Sequence, residues 1–120
     1  MKVAITAQGK TLADTVDLRF GRSRYLIVVD TEADDWAVHD NAANFNAAQG
    51  AGIQTARNAV ECGAEAVITG NVGPNAFKTL NAAGIKIYLS SEHTVKDAVE
   101  LFKQNELNEV SAANVEGHWA

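Results

Sequence analysis

The chain of 120 residues contains one cysteine, one proline and one methionine. With Cys62 alone, no disulfide can form within the chain. A zinc site of several thiolates and an iron–sulfur cluster held by four thiolates are excluded as well. No apolar run approaches the roughly 18 residues that a membrane-crossing helix needs. No basic-then-apolar leader opens the sequence. Both absences make the cytoplasm the expected location and leave no role at a membrane. Positive charge is scarce, with ten Lys and Arg against fifteen Asp and Glu and a net charge of −5. Such a surface does not attract a phosphate backbone, so nucleic acid is not an expected partner. A small basic pocket for an anion is still compatible with it. Repeats and low-complexity tracts are also missing.

What is present suits one globular domain spanning 1–120. The hydrophobic fraction is 47% and the charged fraction 21%, and a domain of this length buries roughly 65% of its unfolded surface. Lys2–Ala7 is a short apolar strand ending at Gln8–Gly9. Lys10–Arg24 is polar and without period. Tyr25–Thr31 is nearly continuous and β-branched, the pattern of a strand covered on both faces. After an acidic turn, Glu32–Asp35, the segment Trp36–Asp40 alternates as a half-buried strand, closing an antiparallel hairpin. Asn41–Gly52 is a loop running into a helix through Ile53, Ala56 and Val60, which Gly63 closes. Ala66–Thr69 is a buried strand, and Gly70–Asn75 a loop with Pro74 placed as the first residue of a second helix. Ile85–Leu89 is the last strand. Thr94 and Asp97 form a capping pattern before the stripe Val95, Ala98, Val99 and Phe102. The tail from Glu106 carries weak structural signals.

The order predicts an α/β fold: one mixed sheet of five strands with helices on its faces. Strand two runs against strand one, and strands joined by helices run parallel to it. One sheet edge then collects Gln8–Arg24, Asp40–Gly52, Gly70–Asn75 and Ser90–His93, and ligands favour that position in open sheets. The other edge carries only Glu32–Asp35, Cys62–Glu65 and Gly84.

Three segments of the loop edge have chemistry. The run Gly70-Asn71-Val72-Gly73-Pro74-Asn75 leads into a helix N-terminus, where backbone amides and the helix dipole favour anions. It lacks the lysine of a phosphate-binding Walker loop, and a plain tight turn explains it equally. Arg19-Phe20-Gly21-Arg22-Ser23-Arg24 places three arginines in six residues of an acidic chain. Guanidinium groups grip carboxylates, phosphates and other anions; the alternative is a solvated turn paired to Asp14 or Asp17. Gly50 and Gly52 would let backbone approach a ligand, or serve close helix packing. His39 and His93 lie toward this edge as candidate metal ligands, each also explicable as a surface histidine. His118 cannot be placed. No pair of carboxylates and no nucleophile–histidine arrangement supports catalysis, so no enzyme is expected.

Several segments together resemble the dinitrogenase iron–molybdenum cofactor-binding family, of NifX, NafY and NifB C-terminal type. They are the opening KVAIT, the Arg19–Arg22 element, Gly50–Ile53, Ala66–Phe77 (AVITGNVGPNAF), Ala83–Ile85 and Thr94–Phe102. The resemblance implies a ribonuclease H-like fold with strand order 3-2-1-4-5. It implies a carrier of an iron–sulfur or iron–molybdenum type cluster, working with a cofactor-delivery partner. It points to Arg19, Phe20, Gly21, Arg22, Gly50, Gly52, Gly70, Asn71, Gly73 and Asn75 as cluster-binding positions. Similar proteins often have a histidine just before Gly50-Ala51-Gly52-Ile53, where this chain has Gln49. Nucleases of the ribonuclease H-like fold need acidic residues on the first strand for two metals; Val3, Ala4, Ile5 and Thr6 stand there instead. The other function class the loop edge suits is an enzyme or regulatory module that binds a small phosphorylated or carboxylated metabolite.

Overall fold

In a computed structural model, residues 1–41 and 50–115 are described. Along the chain they form β1 (Lys2–Ala7), β2 (Tyr25–Asp30), β3 (Asp35–Asp40), α1 (Ala51–Glu61), β4 (Ala66–Thr69), α2 (Pro74–Ala82), β5 (Lys86–Leu89), α3 (Val95–Lys103) and β6 (Asn108–Glu109). The sheet order is β3-β2-β1-β4-β5-β6. β2 is antiparallel to both β1 and β3, while β4 and β5 run parallel with β1. The five expected strands and their order are present. The sixth, β6, pairs antiparallel with β5 through only two residues. A strand so short carries no periodic signal, which is why the tail sequence did not announce it.

Two apolar clusters sandwich the sheet. Ala4, Leu26, Val28 and Val67 pack with Ala56 and Ala59 of α1 and Leu80 of α2. Val3, Ile5, Ile27 and Ile68 on the other face pack with Val95, Ala98 and Val99 of α3. The continuous apolar runs of β1, β2 and β4 are thus strands covered on both sides, with Ile5, Ile27, Val67 and Ile68 all fully buried. The punctuation residues act as their chemistry suggests. Pro74 opens α2, and Gly63 and Gly84 take the left-handed φ just beyond helix ends, at 78° and 75°. The Thr94 hydroxyl accepts the Asp97 N–H at 3.1 Å and caps α3.

β3 departs from the expected half-buried strand. Trp36 is 40% and Val38 39% exposed, and Ala37 is exposed too. His39, expected on the polar side, is instead the one half-buried residue of β3. β3 ends the sheet, and the helices cover the central strands.

Candidate functional site

The carboxyl ends of β1, β3, β4 and β5 meet the start of β2 at one edge, as the topology requires. Buried hydroxyls tie that edge together. The Thr6 hydroxyl donates to the Asp17 carbonyl at 2.6 Å and lies 2.8 Å from the Thr69 hydroxyl. The Asp17 N–H returns to the Thr6 carbonyl at 2.8 Å. The long polar segment before β2 is therefore fastened across the ends of β1 and β4. It passes so close to Gly70 that a Cβ there would meet Leu18 at 2.6 Å. Only glycine permits that crossing.

The arginine segment is held on both sides. Arg19 and Asn71 form a parallel bridge, the Phe20 N–H donates to the Asn71 carbonyl at 3.2 Å, and the Asn71 amide donates to the Leu18 carbonyl at 3.0 Å. From the α1 side, the Thr55 hydroxyl donates to the Gly21 carbonyl at 3.3 Å. Buried Asn41 adds bonds to the Ser23 carbonyl at 2.7 Å and the Thr55 hydroxyl at 2.9 Å. Phe20 is fully buried in the α1–α2 core, so it anchors the segment from below and offers no surface to a ligand. Arg19 and Arg24 are exposed, and Arg22 is half-buried.

The starts of α1 and α2 lie side by side at this edge. A Cβ on Gly52 would sit 3.1 Å from that of Ala76 and 3.8 Å from the Ala76 nitrogen. Both N-cap residues are glycines, Gly50 and Gly73, so neither helix carries a side-chain cap of its own. The first intrahelical bonds are those of Gln54 N–H to Gly50 and Phe77 N–H to Gly73. The amides of Gly52, Ile53, Asn75 and Ala76 precede them and have no partner within their helices. Two helix dipoles thus present their positive ends together, next to the arginine segment. Of the expected residues, Arg19, Gly21, Arg22, Gly52, Gly70, Asn71, Gly73 and Asn75 come together here. Gly50 stands exposed at the entry to α1, with φ 77°.

Asp17 is the half-buried carboxylate of the segment that crosses this edge. Burial pushes it above the ordinary Asp value, against the opposing pull of the Arg19 N–H at 3.0 Å and the Arg19 charge. Asp14 lies lower than usual because the Thr11 hydroxyl and N–H both donate to it at 2.8 Å.

The two histidines do not meet. His39 is on β3 and His93 follows β5, four strand spacings apart, or about 19 Å. Among the described residues no three His, Cys, Asp or Glu side chains converge on one point. His118 and Gln49 lie outside the described residues. Cys62 caps the far end of α1, on the opposite edge. Burial and the neighbouring Glu61 charge push its thiol up, against the opposing pull of Lys2. His39 does share a groove of about 280 Å³ with Lys2, Asp30, Asp35 and Cys62, along the α1 side of β3. Its two carboxylates outnumber its one lysine, so it does not suit an anion.

One participant carried no sequence signal. Asn114, in the tail, accepts the Val72 N–H at 2.7 Å and donates to the Gly70 carbonyl and the Asn71 side chain at 3.3 and 3.2 Å. Its own N–H reaches the Val72 carbonyl at 3.1 Å. The Val72 amide is thereby occupied, unlike the amides further along at the α2 start, which have no partner within their helix.

Comparison with known proteins adds context to this geometry. Residues 1–105 match the family described as dinitrogenase iron-molybdenum cofactor. The apo form of the orange protein from Desulfovibrio gigas is 38% identical, with a TM-score of 0.92, covering 95% of this chain and 96% of that one. A NifB-named protein from Thermotoga, of the DUF35 family, is 39% identical with a TM-score of 0.84, covering 97% and 98%. An uncharacterized protein of Methanocaldococcus jannaschii is 26% identical over 110 residues, 89% of each chain.

Proposed function

The chain belongs to the dinitrogenase iron–molybdenum cofactor family, and from that premise we propose that it is a small non-catalytic protein that binds or carries an anionic metal–sulfide cluster. The cargo is of iron–sulfur or iron–molybdenum type, and the setting is cofactor biosynthesis with a delivery partner. The observation that carries this reading is the pairing of two helix starts, both with glycine N-caps, beside the Arg19–Arg24 segment. Amide N–H groups and guanidinium forks stabilise negative charge on the outer atoms of such a cargo. The described residues offer no converged ligand set. The hold supported by the helix starts and the arginine segment is one of hydrogen bonds and charge, as suits a protein that must release what it carries.

The same hard donors would also accept a phosphate or carboxylate, which keeps a metabolite-binding module as the second reading. Anaerobic titration at fixed salt separates the two, with tetrathiomolybdate as the sulfide anion and inorganic phosphate as the oxyanion. Arg22→Ala should weaken thiomolybdate binding by about 1.5–3 kcal/mol, the loss of one charge-assisted hydrogen bond. His93→Ala should cost more than that only if His93 ligates metal, and His39→Ala is the matched control. Tighter phosphate binding, or turnover of a phosphorylated metabolite, would favour the second reading.

A further inference from the structure

We propose that β3 is a self-complementary edge through which two copies of this chain pair, extending the sheet across a two-fold axis at Ala37. The direction of its backbone groups follows from the register. The Asn41 N–H donates to the Arg24 carbonyl at 2.9 Å, continuing the β2–β3 ladder. Alternate residues of an antiparallel strand point their amides to opposite sides. Ala37 and His39 therefore direct theirs toward β2, and Trp36 and Val38 direct theirs outward. The Trp36 N–H is accordingly taken by its neighbour's carboxylate, Asp35 Oδ1, at 3.0 Å. No described strand lies along that outer side.

Side chains alternate in the same way. Trp36 and Val38 share the α3 face with their partners Val29 and Ile27, whereas Asp35, Ala37 and His39 share the α1 face. An antiparallel partner centred on Ala37 sets Asp35–His39 against the same five residues of the second copy, while Asp40 falls across from Asp34 at the ends. Trp36 lies across from Val38 of the second copy and exchanges two hydrogen bonds with it, and the symmetric pair repeats this. Two of the four exposed large apolar side chains among the described residues are covered in one step. On the other face, Asp35 lies across from His39 of the second copy, again twice, setting a carboxylate acceptor against an imidazole N–H donor.

Neighbouring registers lose this match. Centring on Trp36 sets Asp35 against Ala37, and centring on Val38 sets Trp36 against Asp40. Natural edges are often guarded by lysine, proline or a bulge. β3 has none of these within it, and its carboxylates sit only at its ends. Five paired residues on each strand, with an acidic pair at either end, make a small interface, so the dimer is weak, with Kd of about 10–1,000 μM.

The register makes the test specific. In a Cys62→Ser background, Ala37→Cys places two thiols at a non-hydrogen-bonded pair, with Cα atoms about 4.5 Å apart, suited to a disulfide. Asp35→Cys places them four residues out of register, about 13 Å apart. Mild oxidation should cross-link the first variant and spare the second. Sedimentation of the parent should show concentration-dependent dimer, weakened at least tenfold by His39→Asp and restored by the swap Asp35→His with His39→Asp. A chain that stays monomeric at about 1 mM, with no more cross-link at position 37 than at 35, overturns the proposal. Restoration failing in the swapped variant overturns the register, and capture of a foreign strand in place of a second copy overturns the choice of partner.

Discussion

At the loop edge of the sheet, buried side chains hold backbone in place; at the other edge, charges meet in water. Thr6, Ser23, Asn41, Thr55 and Thr69 are all within 1% of complete burial, and each is hydrogen-bonded. Among the described residues no buried side-chain polar atom lacks a partner. The opposite edge has the Met1 amine 3.9 Å from Asp30 and Glu32, with the Lys2 N–H donating to Glu65 at 3.3 Å. Exposed pairs of that kind contribute about 0–1 kcal/mol and fix little. A satisfied buried network does fix backbone shape. The loop edge therefore has its geometry fixed by buried side chains, while the turns of the other edge are tied by backbone bonds, such as Thr31 N–H to the Met1 carbonyl at 2.9 Å and Glu65 N–H to the Lys2 carbonyl at 2.8 Å.

The largest expected effect is on the floor beneath both edges. Ile68 is fully buried between β4 and α3, and Ile68→Ala should cost about 2–5 kcal/mol in chemical denaturation. A smaller effect separates the edges. Gly70→Ala forces a Cβ into Leu18 and should cost about 1–3 kcal/mol together with loss of anion binding. Gly84→Ala at the other edge meets open space but strains a left-handed φ, costing about 1–2 kcal/mol with binding intact. Equal binding losses in the two would erase the distinction. Cys62→Ser should change anion affinity by less than about threefold, because a remote side chain couples weakly. Loss of binding with the fold intact would move the site toward α1's far end.

The smallest effect is a contrast in pH dependence, read from denaturation midpoints across a pH series. Burial raises Asp17 above its ordinary value of 3.8, so its ionisation opposes folding as pH climbs through that raised value. Asp17→Asn should gain stability relative to the parent across that window and then level off. Asp30, at the other edge, is lowered by the N–H groups of Glu32 and Ala33. Its contribution is present above 3.8 and lost as pH falls through its depressed value. Asp30→Asn should therefore be the less stable at neutral pH, with the difference vanishing in acid. Shifts of the same sign would break the contrast.

Much of this was legible in the sequence. The β-branched runs of β2 and β4, Pro74, Gly63 and the Thr94 cap each specify a local structure on their own. Together with the alternation of strand and helix they place the loops on one edge. The site was legible only in outline. Phe20 looked like part of it because it sits between arginines, but its apolar bulk belongs to the core. Asn71 stands in a glycine-rich turn, yet its side chain serves the neighbouring backbone at Leu18. Asn114 could not be foreseen, because a hydrogen bond across 42 residues leaves no local pattern. The contact of Gly52 with Ala76 is of the same kind, visible only once α1 and α2 pack side by side.

The central claim is that an anion sits where the two helix starts meet the arginine segment. Backbone amide NMR during anaerobic titration with tetrathiomolybdate tests it most directly. The expected result is saturable shifts at Gly52, Ile53, Asn75 and Ala76, with Arg19–Arg24 following and Thr31–Asp34 silent. Shifts confined to the Thr31–Asp34 and Cys62–Glu65 turns, or no saturable shift at the helix starts, would contradict it.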